Sequence, residues 1–404
     1  MNTERTPLFF YQFLGAHSLL IGLLPFFLPV FLWQHGVGLE GLSLLIGVSG
    51  LSFVAALRPW QHAWRQLQPK TLLLLTFAFE LVLVGCAGWF TTIPGSALFD
   101  TGDATTAKPL SSIFVAMTVL GIANGAYNAF FWTTQRSLFL QQLAGNNTGK
   151  QYGNFQIFVT VFLKVGILLG GLLLDFGGFL WLLALSAGVS FASYSLLASK
   201  AYSRLTDDNS SMSLRQSLTY SDAHGSKSTF ALDGIFLYLE SHFWTLSLFL
   251  VVNEDFSRLG VAVVLLAIVF AALFYLIKNR IDQLAAKRVY TAACWLYAGS
   301  WLLRFTLDEN AEGAGYLVSL ILLTFCSSFF RLAFNKRFFD VARRSGAVNY
   351  LLIKSYSSQA YLGIFFLLTC ITVQLLPVDD IKILQYGYVI AALLSLGYLK
   401  YRDQ

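Results

Sequence analysis

Charge is what this sequence lacks most. Asp, Glu, Lys and Arg make up 12% of its 404 residues, against about 25% in a soluble globular domain. A water-soluble fold of this size could not hide a composition that is 56% hydrophobic, whereas a bilayer accepts apolar surface directly. Cysteine is scarce too. Cys86, Cys294, Cys326 and Cys370 all fall inside apolar runs, with neither metal-ligand spacing nor the pattern of a disulfide framework, so they read as small buried hydrophobes. No phosphate-binding Gly-x-x-x-x-Gly-Lys segment and no His-Glu-x-x-His pair occurs, so nothing points to ATP hydrolysis, a metal site or a cofactor. Ser355, Ser357 and Ser358 adjoin only Lys354 as a base, a weak basis for hydrolysis. The chain is not expected to be an enzyme. A formal net charge of +6 suggests nucleic acid, but the bases sit in short loops and form no continuous face, so no nucleic-acid partner is expected.

What the sequence has is long apolar runs. A helix needs about 20 apolar residues to cross the hydrocarbon core. Twelve segments approach or exceed that length: 8–33, 38–57, 71–92, 111–140, 154–176, 179–199, 229–252, 258–278, 289–306, 314–335, 349–376 and 383–400. The runs are continuous rather than alternating, which excludes a membrane β-barrel. The first run is too long for the apolar region of a signal peptide and is read as a retained helix. The predicted fold is all-α and polytopic.

Loop charge alternates. One side carries Arg58, Arg65, Lys70, Lys150, Lys200, Arg204, Arg215, Lys227, Lys278, Arg280, Lys287, Arg288, Arg343 and Arg344. The other carries Asp100, Asp103, Glu254, Asp255, Asp308, Glu309, Glu312, Asp379 and Asp380, with few bases. The basic side is expected to be cytoplasmic, with both termini there, in a bacterial inner (plasma) membrane. The longest polar connection, Lys200 to Ser228, lies on that side. It divides the chain into an N-terminal six-helix bundle (1–199), a cytoplasmic linker (200–228) and a C-terminal six-helix bundle (229–404). Two glycosylation sequons, at Asn146 and Asn209, fall on the same side and are expected to be unused.

The stretch Gly166-x-x-x-Gly170-Gly171-x-x-x-Asp175-x-Gly177-Gly178-x-x-Trp181, continuing to Ala187-Gly188, is similar to the end of helix five and start of helix six in the major facilitator superfamily. The six-plus-six layout resembles that superfamily over the whole chain. The loop Arg58-Pro59-Trp60-Gln61-His62-Ala63-Trp64-Arg65 keeps the basic charge often found between helices two and three there, but not the Gly and Asp, so the resemblance is to a divergent member. A faint repeat, Phe130-Phe131 before Arg136 and Phe329-Phe330 before Lys336, fits a duplicated six-helix unit.

Ionisable residues at membrane depth are costly and mark candidate sites. Glu240 and Lys164 each lie roughly 15 Å into their helices at about 1.5 Å per residue. Asp233 and Lys354 lie nearer the basic side. Matched depth pairs Glu240 with Lys164 and Asp233 with Lys354. Glu240, and after it Asp233, is the expected proton-linked carboxylate. The superfamily layout lines a central cavity with helices one, four, seven and ten, flanked by five and eleven. That resemblance implies substrate contacts from Lys164, Arg331, Asn124, Asn128, Trp132, His17, Gln12 and His242, with Lys354 and Arg136 in gating ion pairs. Glu80, on helix three, is read as a structural hydrogen-bonding group.

These features point to secondary active transport of a small organic solute, anionic or zwitterionic, by alternating access with proton coupling. The partners expected are the solute, protons and membrane lipids, with the protein a monomer. The other readings are a lipid or amphiphile flippase, suggested by 37 Phe residues, and a non-transporting receptor or assembly factor.

Overall fold

The computed structural model describes residues 8–67, 69–92, 110–142, 148–198, 212–281, 286–307, 314–376 and 378–402. The sequons at Asn146 and Asn209 and the loop acids of 100–103 and 308–312 lie outside the described residues. The described residues are helical with no strand. Twelve long helices follow in order: α1 Leu8–Gln34, α2 Leu39–Gln66, α3 Pro69–Thr92, α4 Leu110–Gln142, α5 Thr148–Gly177, α6 Phe179–Ala198, α7 Ser226–Val251, α8 Phe256–Ile281, α9 Ala286–Phe305, α10 Ala314–Arg344, α11 Ala347–Leu375 and α12 Asp380–Lys400. Ten are long and apolar enough to cross a membrane by length and composition, and α8 has a shorter apolar stretch over Phe256–Val269. Helix α9 is less apolar. It carries Lys287 and Arg288 at its start and Arg304 near its end. The chain is a multi-pass membrane protein.

Helix pairings repeat with an offset of six. In the first half α1 packs on α5, α2 on α4, and α3 on both α4 and α6. In the second half α7 packs on α11, α8 on α10, and α9 on both α10 and α12. The halves meet where α2 lies against α11 and α5 against α8, pairings that exchange under the same offset. The architecture is two six-helix bundles.

Small residues explain why these seams form. In lipid there is little hydrophobic drive between helices, so close backbone approach carries the packing. A Cβ on Gly166 would strike the Leu19 carbonyl of α1, one on Gly170 the Phe27 ring, and one on Gly171 the Phe256 carbonyl of α8. The Gly-rich stretch of α5 therefore seats that helix against α1 in its own half and α8 in the other. The stretch ends at Gly178, whose φ of +75° reverses the chain so that α6 starts at Phe179. Only glycine takes that backbone region without strain.

On the acidic-loop side the halves are fastened by carboxylates at helix starts. Asp175 Oδ2 at the end of α5 accepts from Ser257 N of α8 at 2.8 Å. Asp380 Oδ2 at the start of α12 accepts from Leu39 N of α2 at 2.9 Å. Each anion sits at the positive end of a helix dipole. On the basic-loop side, Gln61 Nε2 donates to Tyr356 Oη across the halves at 3.0 Å, and the Phe139 and Phe339 rings meet at 5.1 Å. Gln61 also donates to the Met212 carbonyl at 2.9 Å. The described end of the connecting segment is thus structured. It forms a short helix, Leu214–Thr219, with a Ser213–Gln216 capping box. Helix α7 begins at Ser226, two residues before the end of the expected linker.

Candidate functional site

A cavity of about 480 Å³ lies between the two halves. Two polar stripes of the first half face it. On α4, Asn124, Asn128 and Trp132 stand one turn apart and form a ladder: Trp132 Nε1 donates to Asn128 Oδ1 at 3.0 Å, Asn128 Nδ2 to Asn124 Oδ1 at 2.9 Å, and Asn124 Nδ2 to Ser49 Oγ of α2 at 2.9 Å. On α5, Gln156, Thr160 and Lys164 follow the same four-residue spacing, which places them on one face.

Helix α7 supplies the opposite wall through a local irregularity. Leu239–Phe243 is a π turn, an insertion into the α-helical ladder often found at functional sites. Glu240, Ser241 and His242 lie inside it, and all three line the cavity, followed by Trp244. His242 Nδ1 shares a 2.9 Å hydrogen bond with Ser241 Oγ, and its ring stacks on Tyr238 at 4.9 Å. Helix α10 adds Thr324, Ser327 and Ser328, α9 adds Arg304, and α11 adds Gln359.

Beside the cavity lies an ion-pair chain within the second half. Arg331 Nε donates to Glu240 Oε2 at 2.9 Å. Its Nη1 donates to Asp233 Oδ1 at 2.6 Å. Asp233 Oδ2 meets Lys354 Nζ at 2.9 Å. One guanidinium thus bridges two carboxylates seven residues apart on α7, and a lysine from α11 completes the chain. Lys354 Nζ also lies 4.4 Å from the Phe338 ring centroid and 4.8 Å from that of Phe334. Such a chain, held by charge-assisted hydrogen bonds in a poorly solvated place, is sensitive to the loss of any one charge.

Several expected placements differ. Lys164 does not pair with Glu240. Arg331 takes that carboxylate, because the fork geometry of Arg reaches both acids on the adjacent helix. Among the described residues Lys164 forms no ion pair, and it lines the cavity. Arg331 itself lies off the cavity wall, committed to the acids. Arg136 is near by, 5.6 Å from the Trp132 ring centroid, but does not line the cavity. His17 and Gln12 do not line it either. Gln12 is exposed at the basic-side end of α1. His17 is fully buried within the first half, where Phe13, Phe77 and Phe131 pack round its ring. Its Nε2 bonds Thr76 Oγ1 at 2.9 Å, and its Nδ1 lies 3.5 Å from Glu80 Oε2. Glu80 is therefore the buried partner of His17.

Sequence reasoning missed Arg304, read only as lying near a helix end. It is 2% exposed and reaches the cavity wall. Gln156 and Thr160 were missed as well, although their four-residue spacing toward Lys164 is readable in the sequence. The π turn leaves no mark in composition or periodicity. Among the described residues no group of three or more potential metal ligands occurs.

No protein-family model matches this sequence, and no curated protein does. Solved structures do match its fold. The nucleoside transporter NupG superposes with a TM-score of 0.66 at 12% identity over 100% of both chains. A point mutant of NupG gives 0.69 at 13% identity over 97% of each chain. A bacterial homologue of the iron transporter ferroportin, in an outward-facing state with soaked iron, gives 0.63 at 13% identity, covering 98% of this chain and 100% of that one.

Proposed function

From the major facilitator fold of this chain we infer that it is a secondary transporter carrying a small organic anion by alternating access, with protons as the coupling ion. The observation that carries this reading is the charge imbalance of the central cavity and its surroundings. Lys164, Arg304, Arg331 and Lys354 stand against the carboxylates of Asp233 and Glu240. An anionic solute supplies the missing negative charge. Asn124, Asn128, Gln156 and Thr160 offer hydrogen bonds, and Trp132 and Trp244 offer flat apolar surface. This combination of a mainly apolar wall with a few convergent polar groups suits a small ligand.

Coupling is assigned to Glu240, with Asp233 second. Glu240 lines the cavity and is held by Arg331. Protonation removes its charge, weakens its hold on Arg331, and shifts the balance between packings of the halves. Lys354 and Arg136 serve as charge partners on the basic-loop side. That side is assigned to the cytoplasm of a bacterial inner membrane by the positive-inside rule.

Uptake into proteoliposomes tests the reading. Organic anions are expected to show counterflow and to accumulate further under a pH gradient, while neutral analogues of the same shape do not. Neutral analogues moving as fast as the anions would refute it. Orientation is checked in cells by labelling single cysteines with an impermeant reagent. Arg215→Cys is expected to be shielded and Asp379→Cys reactive from outside, and the reverse pattern would invert the topology.

A further inference from the structure

Lys164 and Arg304 are both cations on the wall of one cavity, and among the described residues neither has a carboxylate in ion-pair contact. Their neighbours differ from those of Arg331 and Lys354, which are matched to acids. Arg304 Nη1 donates to Ser300 Oγ and its Nη2 to Ser327 Oγ, both at 2.9 Å. Its guanidinium carbon lies 4.2 Å from the Trp301 ring centroid and 5.0 Å from that of Trp244. Its Nε has no acceptor. Hydroxyl oxygens and indole faces receive these N–H groups or soften the charge, but they carry no negative charge to cancel it. A cation without a carboxylate in contact is costly inside an apolar helix bundle, and two on one cavity wall also repel each other.

We propose that the solute is a small organic dianion, with one anionic group at Lys164 and the other at Arg304, so that it bridges the two halves of the protein. The proposal rests on the reading of this chain as an organic-anion carrier and narrows it. Lys164 comes from α5 in the first half and Arg304 from α9 in the second. A dianion cancels both charges at once, and its two ends draw the halves together. A monoanion leaves one cation uncompensated. Gln156 and Thr160 flank the first position and Ser327 the second, so each anionic group meets a cation and further hydrogen-bonding side chains. Trp244, which lines the cavity beside Arg304, gives the connecting body an apolar face.

Binding to the purified full-length protein tests this, read by quenching of tryptophan fluorescence. The probes are succinate, glutarate and terephthalate, each beside its own monoamide, which keeps the shape and loses one charge. At least one dianion is expected to bind about tenfold tighter than its monoamide. That preference is expected to fall below about threefold in Lys164→Gln and in Arg304→Gln. Ser327→Asp is the companion variant. It keeps Arg304 but places a carboxylate against it, and the same loss of preference is expected without removing a packed side chain. Equal binding within every pair overturns the dianion and leaves anion transport standing. A preference that survives both Arg304→Gln and Ser327→Asp overturns the assignment of Arg304. Absence of binding by every probe contradicts this proposal, while counterflow of other organic anions reports separately on the broader reading.

Discussion

Lys164 and Arg331 are both cations inside an apolar helix bundle, yet their surroundings are opposite. Arg331 is held between Glu240 and Asp233, and Lys164 faces the cavity without an ion pair among the described residues. Removing a partner from a buried ion pair costs about 3–5 kcal/mol, because the other charge stays buried without compensation. Arg331→Gln is therefore expected to lower the thermal unfolding temperature of the purified protein strongly, and adding Asp233→Asn is expected to recover part of the loss. Lys164→Gln is expected to leave unfolding unchanged or slightly improved, since it strands no partner, while abolishing solute-dependent stabilisation. Strong destabilisation by Lys164→Gln would mean that its ammonium has a structural role. The candidate residues themselves were legible in the sequence, because a charge inside an apolar run stands out. Their partners were not. Equal depth matched Lys164 to Glu240, but depth says nothing about which way a side chain points round its helix. His17 failed for a different reason: it lies one turn before Ile21 of the wall, on the same face of its helix, but outside the cavity, where three Phe rings close over it.

Helix α7 is where local geometry has the largest consequence. Asp233 and Glu240, seven residues apart, share a face in an ideal α-helix, and both reach Arg331. The π turn over Leu239–Phe243 then widens the backbone and presents Glu240, Ser241 and His242 together to the cavity. A π turn amounts to one inserted residue in an α-helix. Deleting Ser241 is expected to restore an uninterrupted helix, keep both flanks in register and preserve the fold, but to lose pH-gradient-driven uptake. Circular dichroism and liposome uptake on the same preparation check this, and full uptake by the deletion variant would show that the turn has no functional part. The helix itself was plain from its apolar run. The turn was not, because backbone insertions of this kind are set by packing against neighbouring helices and leave hydropathy unchanged.

For the molecule as a whole, twelve helices in two bundles follow from apolar length, alternating loop charge and the Gly-rich end of α5. All three are strong signals because the bilayer leaves few alternatives: a spanning segment must satisfy its own backbone hydrogen bonds. The cavity between the halves was expected from the layout, but its chemistry depends on tertiary neighbours, such as Arg304 brought to the wall by Ser300 and Ser327. Glu240, held by Arg331 at the edge of this cavity, is proposed to link proton movement to solute movement. Proteoliposomes containing Glu240→Gln separate coupling from transport. Glutamine holds the neutral form that protonation would produce, so exchange of solute at equal pH is expected to persist while accumulation driven by a pH gradient disappears. Accumulation by Glu240→Gln equal to that of the unaltered protein would contradict the account.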